Sequence, residues 1–82
     1  MTTMQIQTDE AIAHEVGARV HDLMWRKKIS QARVGQAIGV SQSTTSKKIR
    51  GEVGITIPEL LRIAQLLDVD VTDLLQIGRA HV

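Results

Sequence analysis

Gln42, Ser43, Ser46 and Lys47 lie in a segment that runs S-Q-A-R-V-G-Q-A-I-G-V-S-Q-S-T-T-S-K-K-I-R-G from Ser30 to Gly51. Each carries a hydrogen-bonding group that fits the edge of a nucleic-acid base. A Gln amide can pair with adenine through two hydrogen bonds, a Lys ammonium can donate to guanine O6 and N7, and a Ser hydroxyl can serve either base. At this spacing all four share one face of a helix, while Thr45 and Ile49 share the opposite face and can point into a core. Groups suited to phosphate flank them: Gln31 at the start of the preceding helical pattern, Thr44 at the edge of the face, and Lys48 and Arg50 at its end. Phosphate contacts fix register without reading sequence.

Such a face is useful only if neighbouring elements hold it. Residues 1–7 lack periodicity and are expected to be a tail, after which Thr8 can cap a first helix with Asp9 and Glu10 near its positive end. Ile12, Val16, Val20, Leu23 and Met24 recur at helical spacing, and Arg26, Lys27 and Lys28 suit the C-terminus. Ser30 caps a second helix to about Ile38, with Ala32, Val34, Gly35 and Ile38 available for close packing. Gly39 supplies the positive φ of a helix end, Val40 plugs the turn, and Ser41 caps a third helix to about Arg50, closed by Gly51. Val53 and Ile55 are expected to tuck inward from the loop that follows. Thr56-Ile57-Pro58-Glu59 reads as a capping box with Pro in the first turn, and it opens a fourth helix carrying Leu60, Ile63, Ala64 and Leu67. Asp70 caps a short fifth helix with Val71, Leu74 and Leu75, and 78–82 reads as a second tail. Sustained period-two alternation is absent, so the expected fold is all-α, one domain over 8–77 with a helix-turn-helix at 30–50.

Composition narrows the rest. Eighty-two residues make one domain, and the absence of cysteine excludes a disulfide framework and a thiolate metal site. His14 and His21 stand two helical turns apart with no third ligand, so no metal is expected, and no cofactor motif is present. No nucleophile is paired with a base, so an enzyme is not expected. No apolar run reaches the ~20 residues of a membrane span and no signal pattern opens the chain, which points to a cytoplasmic protein without membrane contact. The net charge of +1 hides an asymmetry: residues 1–50 hold eight Lys/Arg against four Asp/Glu, and residues 51–82 hold two against five. Positive potential therefore gathers on the part that contains the helix pair.

Taken together, Ser30-Gln31, Ile38-Gly39-Val40-Ser41, Ser43-Thr44, Ser46-Lys47, Gly51, Ile63-Ala64, Leu67-Asp68-Val69-Asp70 and Asp73-Leu74-Leu75 resemble the Cro/CI-type (XRE) helix-turn-helix family of phage repressors and bacterial regulators. The resemblance covers roughly residues 16–76. It implies a compact five-helix lambda-repressor-like domain in which Gln31 clamps a phosphate and Gln42, Ser43, Ser46 and Lys47 face base edges. Gly35 stands where the family usually has Ala, and Thr45 where it prefers Ile or Val. Met24 replaces a residue that is basic in many members, so that backbone contact is expected either to be missing or to come from Arg26 or Lys27. The implied activity is a sequence-specific double-stranded-DNA-binding regulator, a repressor of phage or prophage type that is expected to occupy a palindromic operator as a homodimer, at least on DNA. Its dimer contact is expected in Val69 to Ile77.

Other readings stand beside this one. The chain could be the DNA-binding module of a longer regulator, an antitoxin, or a protein-interaction adaptor on the same fold. An adaptor calls for acidic or apolar residues on the exposed face of the third helix, where Gln42, Ser43, Ser46 and Lys47 stand instead. Lys27-Lys28 and Lys47-Lys48 could be solvated helix ends, yet the Ser/Thr run from Ser43 to Ser46 weakens a helix and favours a functional reason for it. Trp25, the only aromatic residue, is expected to plug a core or an interface rather than to stack on bases.

Overall fold

The computed structural model describes residues 9–75. Five helices follow one another: α1 (Asp9–Lys27), α2 (Gln31–Ile38), α3 (Gln42–Ile49), α4 (Ile57–Leu67) and α5 (Val71–Leu74). The expected all-α fold is the observed one. Thr8, Ile77, Gly78 and the two expected tails, 1–7 and 78–82, lie outside the described residues.

The helix starts follow local chemistry. Ser30 Oγ accepts from the Arg33 amide and Ser41 Oγ from the Thr44 amide, each satisfying a donor that the first turn leaves unpaired. Thr56 and Glu59 form the complete capping box, with Pro58 in the first turn. Asp70 has the extended backbone of a cap, but its side chain makes no capping hydrogen bond.

Helices α1 to α4 close in a common way, with one residue in the left-handed region and paired amides folding back on the last turn. Gly39 (φ 77) and Gly51 (φ 81) do this as expected. At the end of α1 the position is taken by Lys28 (φ 59), where the Lys28 amide donates to the Trp25 carbonyl and the Ile29 amide to the Met24 carbonyl. At the end of α4 it is taken by Asp68 (φ 58). A short polar side chain tolerates that backbone; a long one such as Lys pays a steric cost.

The core joins Val16, Val20 and Met24 of α1 to Val34 and Ile38 of α2 and Ile49 of α3. Leu60, Ile63, Ala64 and Leu67 of α4 and Leu74 of α5 complete it. Val40 and Ile55 pack against this cluster from the loops. Four expectations of burial need correction. Ala32 is exposed, Ile12 and Val53 lie at the surface, and Trp25 is 79% exposed and therefore no core plug. Ala32 lies two residues before Val34, on the outer side of α2. Trp25 follows the buried Met24 by one position, about 100° round the helix.

Candidate nucleic-acid interface

Helix α3 has two faces with different tasks. Thr45, Lys48 and Ile49 are buried, and they recur at the three- and four-residue spacing of one helical stripe. Gln42, Ser43 and Lys47 are exposed on the other side, with Ser46 half-buried between the two. The structure therefore brings the four expected base-facing residues onto one outward surface. The buried stripe determines how that surface is aimed.

The aim is set by close backbone approach. A Cβ at Gly17 of α1 would run into the carbonyl of Ile49 and come within 3.1 Å of the Lys48 carbonyl, so α1 crosses the end of α3 at a distance only glycine permits. Gly51 repeats the device, because a Cβ there would lie 2.7 Å from His14 Cα. Gly17 was not singled out in the sequence, since a glycine inside a helical pattern gives no sign of what crosses it.

Gly35 and Thr45, the two departures that concern packing, are one feature. A Cβ at Gly35 would come within 2.7 Å of Thr45 Oγ1 and 3.1 Å of the Val40 carbonyl oxygen. Thr45 Oγ1 in turn donates to the Ser41 carbonyl at 2.8 Å, which satisfies a fully buried hydroxyl. The missing methyl on α2 makes room for the hydroxyl on α3. This ties the two helices across their turn.

Lys48 is the clearest correction. Expected to reach a phosphate, it is instead only 7% exposed. Its Nζ donates to the Gly54 carbonyl at 2.9 Å and pairs with Glu59 Oε1 at 3.0 Å. A cation held by two partners in the protein interior is not offered to DNA; it pins the end of α3 to the start of α4 and to the loop between them. Burial pushes the Glu59 carboxyl pKa upward as the largest single influence. The Thr56 amide, the Lys48 hydrogen bond and the Lys48 charge together outweigh it and hold the pKa below its ordinary 4.5. Spacing puts Lys48 three residues after Thr45 and beside Ile49, on the core side of the helix, but it does not show the partners that hold the ammonium there.

The remaining expected backbone residues stay at the surface. Arg50 is exposed, donating to Ser46 Oγ at 2.8 Å and to Glu52 Oε2 at 2.7 Å. This pairing raises the Arg50 pKa and lowers that of Glu52. Ser46 keeps its hydroxyl proton as a donor. Thr44 is half-buried, with Oγ1 accepting from Ser41 Oγ at 3.1 Å. Gln31 is half-buried at the first position of α2. Arg26 pairs with Asp22 one turn earlier at 3.2 Å, and Lys27 is exposed beside it.

Residues 19–77 match the family model of the Cro/C1-type HTH DNA-binding domain. The chain belongs to that family. As a Cro/C1-type domain it is a DNA-binding helix-turn-helix regulator, and α3 occupies the place of the second helix of the motif. Among solved structures the fold is similar to the restriction-modification controller protein C.AhdI from Aeromonas hydrophila. The TM-score is 0.69 and the identity 24%, over 76% of this chain and 94% of that one. This likeness shows the shared fold. No curated protein matches the chain. Among the described residues, no helix is long and apolar enough to cross a membrane.

Proposed function

We propose that this Cro/C1-type domain is a sequence-specific, double-stranded-DNA-binding transcription regulator that represses by occupying operator DNA through the major groove. The observation that carries this reading is the outward face of α3: Gln42, Ser43 and Lys47 are exposed on a helix whose other face is locked into the core. Gln42 is assigned to adenine, Lys47 to guanine, and Ser43 and Ser46 to either base, each through its groove edge. Gln31, Thr44, Arg50, Arg26 and Lys27 are assigned to phosphates, which set the register of the domain. Lys48 leaves this set.

One reading helix spans only a few base pairs. A homodimer on half-sites about 34 Å apart, or a multiple of that distance, supplies the rest of the affinity and makes the operator palindromic. The stretch from Val69 to Leu75 suits the dimer contact, because it is acidic and apolar and ends on Leu75, a large hydrophobic residue exposed at the surface. A compact regulator of the phage-repressor or restriction-modification-controller kind fits both the family and the fold, and its mechanism is steric, without catalysis.

The test is the binding of alanine variants to a duplex enriched from a random pool. Gln42→Ala and Lys47→Ala are expected to lose affinity by about 1–3 kcal/mol each and to relax sequence preference at the base they contact. Gln31→Ala and Lys27→Ala are expected to weaken binding to all sequences alike, with Lys27→Ala flattening the dependence on salt. Unchanged affinity and preference in both Gln42→Ala and Lys47→Ala would overturn the assignment.

A further inference from the structure

The end of α1 and the start of α2 border an open groove of about 500 Å3. Met24 and Ile29 line it with apolar atoms, the Trp25 indole flanks it, and His21, Lys28 and Gln31 bring polar groups to it. No Asp or Glu lines it. Two of these residues are held in ways the fold does not require. Trp25 is the largest side chain in the protein and is 79% exposed although it contributes nothing to the core. Lys28 occupies the left-handed backbone position that closes α1 (φ 59), where glycine would sit without strain. Backbone strain retained next to an exposed aromatic ring points to a function for the pair.

The groove has an apolar wall, donors at its edge and no negative charge, and it shares Gln31 with the set assigned to phosphates. A deoxyribose-phosphate unit has the complementary chemistry: an apolar sugar face joined to an anion. We propose that Trp25 and Lys28 form a backbone clamp for the duplex engaged by the outward face of α3. The sugar lies against the indole, Met24 and Ile29, and the phosphate accepts from the Trp25 Nε1–H, the Lys28 ammonium and the Gln31 amide. The inference rests on the DNA-binding function proposed above and adds two residues to it. It also adds a donor next to Met24, since Trp25 can donate where the apolar Met24 cannot, beside the contacts assigned to Arg26 and Lys27. Because a clamp of this kind touches no base, it adds affinity for every sequence equally.

Trp25 is the only Trp in a chain without Tyr or Phe, so intrinsic fluorescence reports on the groove alone. The full chain is titrated with a dye-labelled duplex enriched from a random pool, with anisotropy following DNA binding and Trp25 emission following the clamp. Saturation is expected to shift the emission to shorter wavelength and to protect it from acrylamide quenching. Trp25→Ala is expected to bind every duplex about 10-fold more weakly, the scale of a lost hydrogen bond to a charged group. Lys28→Gly is expected to raise the melting temperature by relieving the strained backbone, yet to weaken binding several-fold and reduce the salt slope by about 1. A merely structural role for Lys28 could not produce both effects. Tight binding by anisotropy with unchanged emission and quenching, or with Trp25→Ala and Lys28→Gly binding like the parent, would overturn the clamp alone. An emission shift that follows protein concentration without DNA would give the groove to a second copy of the chain and overturn it as well. No anisotropy change with any duplex would overturn the DNA-binding function and the clamp with it.

Discussion

Lys47 and Lys48 are neighbours with the same side chain and opposite fates. Lys47 projects from α3 into solvent, while Lys48 is sealed against Glu59 and the Gly54 carbonyl. One peptide unit turns the helix by about 100°, enough to move a cation from the surface into the interior. The same division runs along the whole helix. The outward face offers Gln42, Ser43 and Lys47 with little packing, whereas the inward face is fixed by Thr45, Lys48 and Ile49 and by the glycine-thin contact with α1. A surface that reads another molecule must keep donors and acceptors that the fold does not use up, and the surface behind it must leave no freedom of orientation. Affinity and stability should therefore separate cleanly between the two faces.

The largest expected effect lies behind the outward face, where α1 crosses the end of α3. Gly17→Ala forces a methyl into the Ile49 carbonyl and pushes α1 off α3. A cost of about 3 kcal/mol, at the upper end of overpacking, is expected in denaturant unfolding. For a domain of this size that is a large share of the total stability. Retention of stability would mean that the helix crossing is looser than described.

Next comes the pair of lysines. Lys48→Met removes one member of the buried ion pair and leaves Glu59 uncompensated, costing about 2–3 kcal/mol after allowance for the solvent that still reaches its edge. Lys47→Met should stay within about 0.5 kcal/mol of the parent in stability while losing DNA affinity. Equal destabilisation by the two substitutions would break the distinction between the faces.

Acid sharpens the same contrast. The Glu59 pKa is lowered in the folded protein, so the stability it contributes is present above its ordinary 4.5 and is lost as pH falls through the lower folded value. Melting temperatures recorded from neutral pH down through that range should fall in the parent. They should fall less steeply in Glu59→Gln, whose amide does not titrate. Identical slopes would remove Glu59 from the account of acid stability.

A smaller effect is expected at the turn. Gly35→Ala brings a methyl against Thr45 Oγ1 and the Val40 carbonyl and should cost about 1–2 kcal/mol. Adding Thr45→Ala removes the obstructing hydroxyl, so the double variant should be less destabilised than the sum of the singles. Additive losses would show that Gly35 and Thr45 are not coupled.

What could be read from the sequence divides along physical lines. Helix starts at Ser30, Ser41 and Thr56 and the left-handed glycines at 39 and 51 depend on residues a few positions apart, and local chemistry announces them. The outward set on α3 was legible for the same reason, since spacing alone puts Gln42, Ser43, Ser46 and Lys47 on one side. The burial of Lys48 was missed because it depends on Glu59, which the sequence had already assigned to a capping box, and on a loop carbonyl with no side-chain signature. Gly17 was missed because its partner is backbone some thirty residues away. Ala32 was misplaced by residue type, since a small residue suggested close packing, and Trp25 leaves the core half of its core-or-interface expectation, because helical phase puts both outside.

The most direct measurement is selection of duplexes from a random pool by the parent and by Lys47→Ala, side by side. The parent should enrich a motif of paired half-sites. Lys47→Ala should enrich the same motif with one base position relaxed in each half. Failure of the parent to enrich any motif, or identical motifs from both proteins, would contradict the assignment of sequence reading to the outward face of α3.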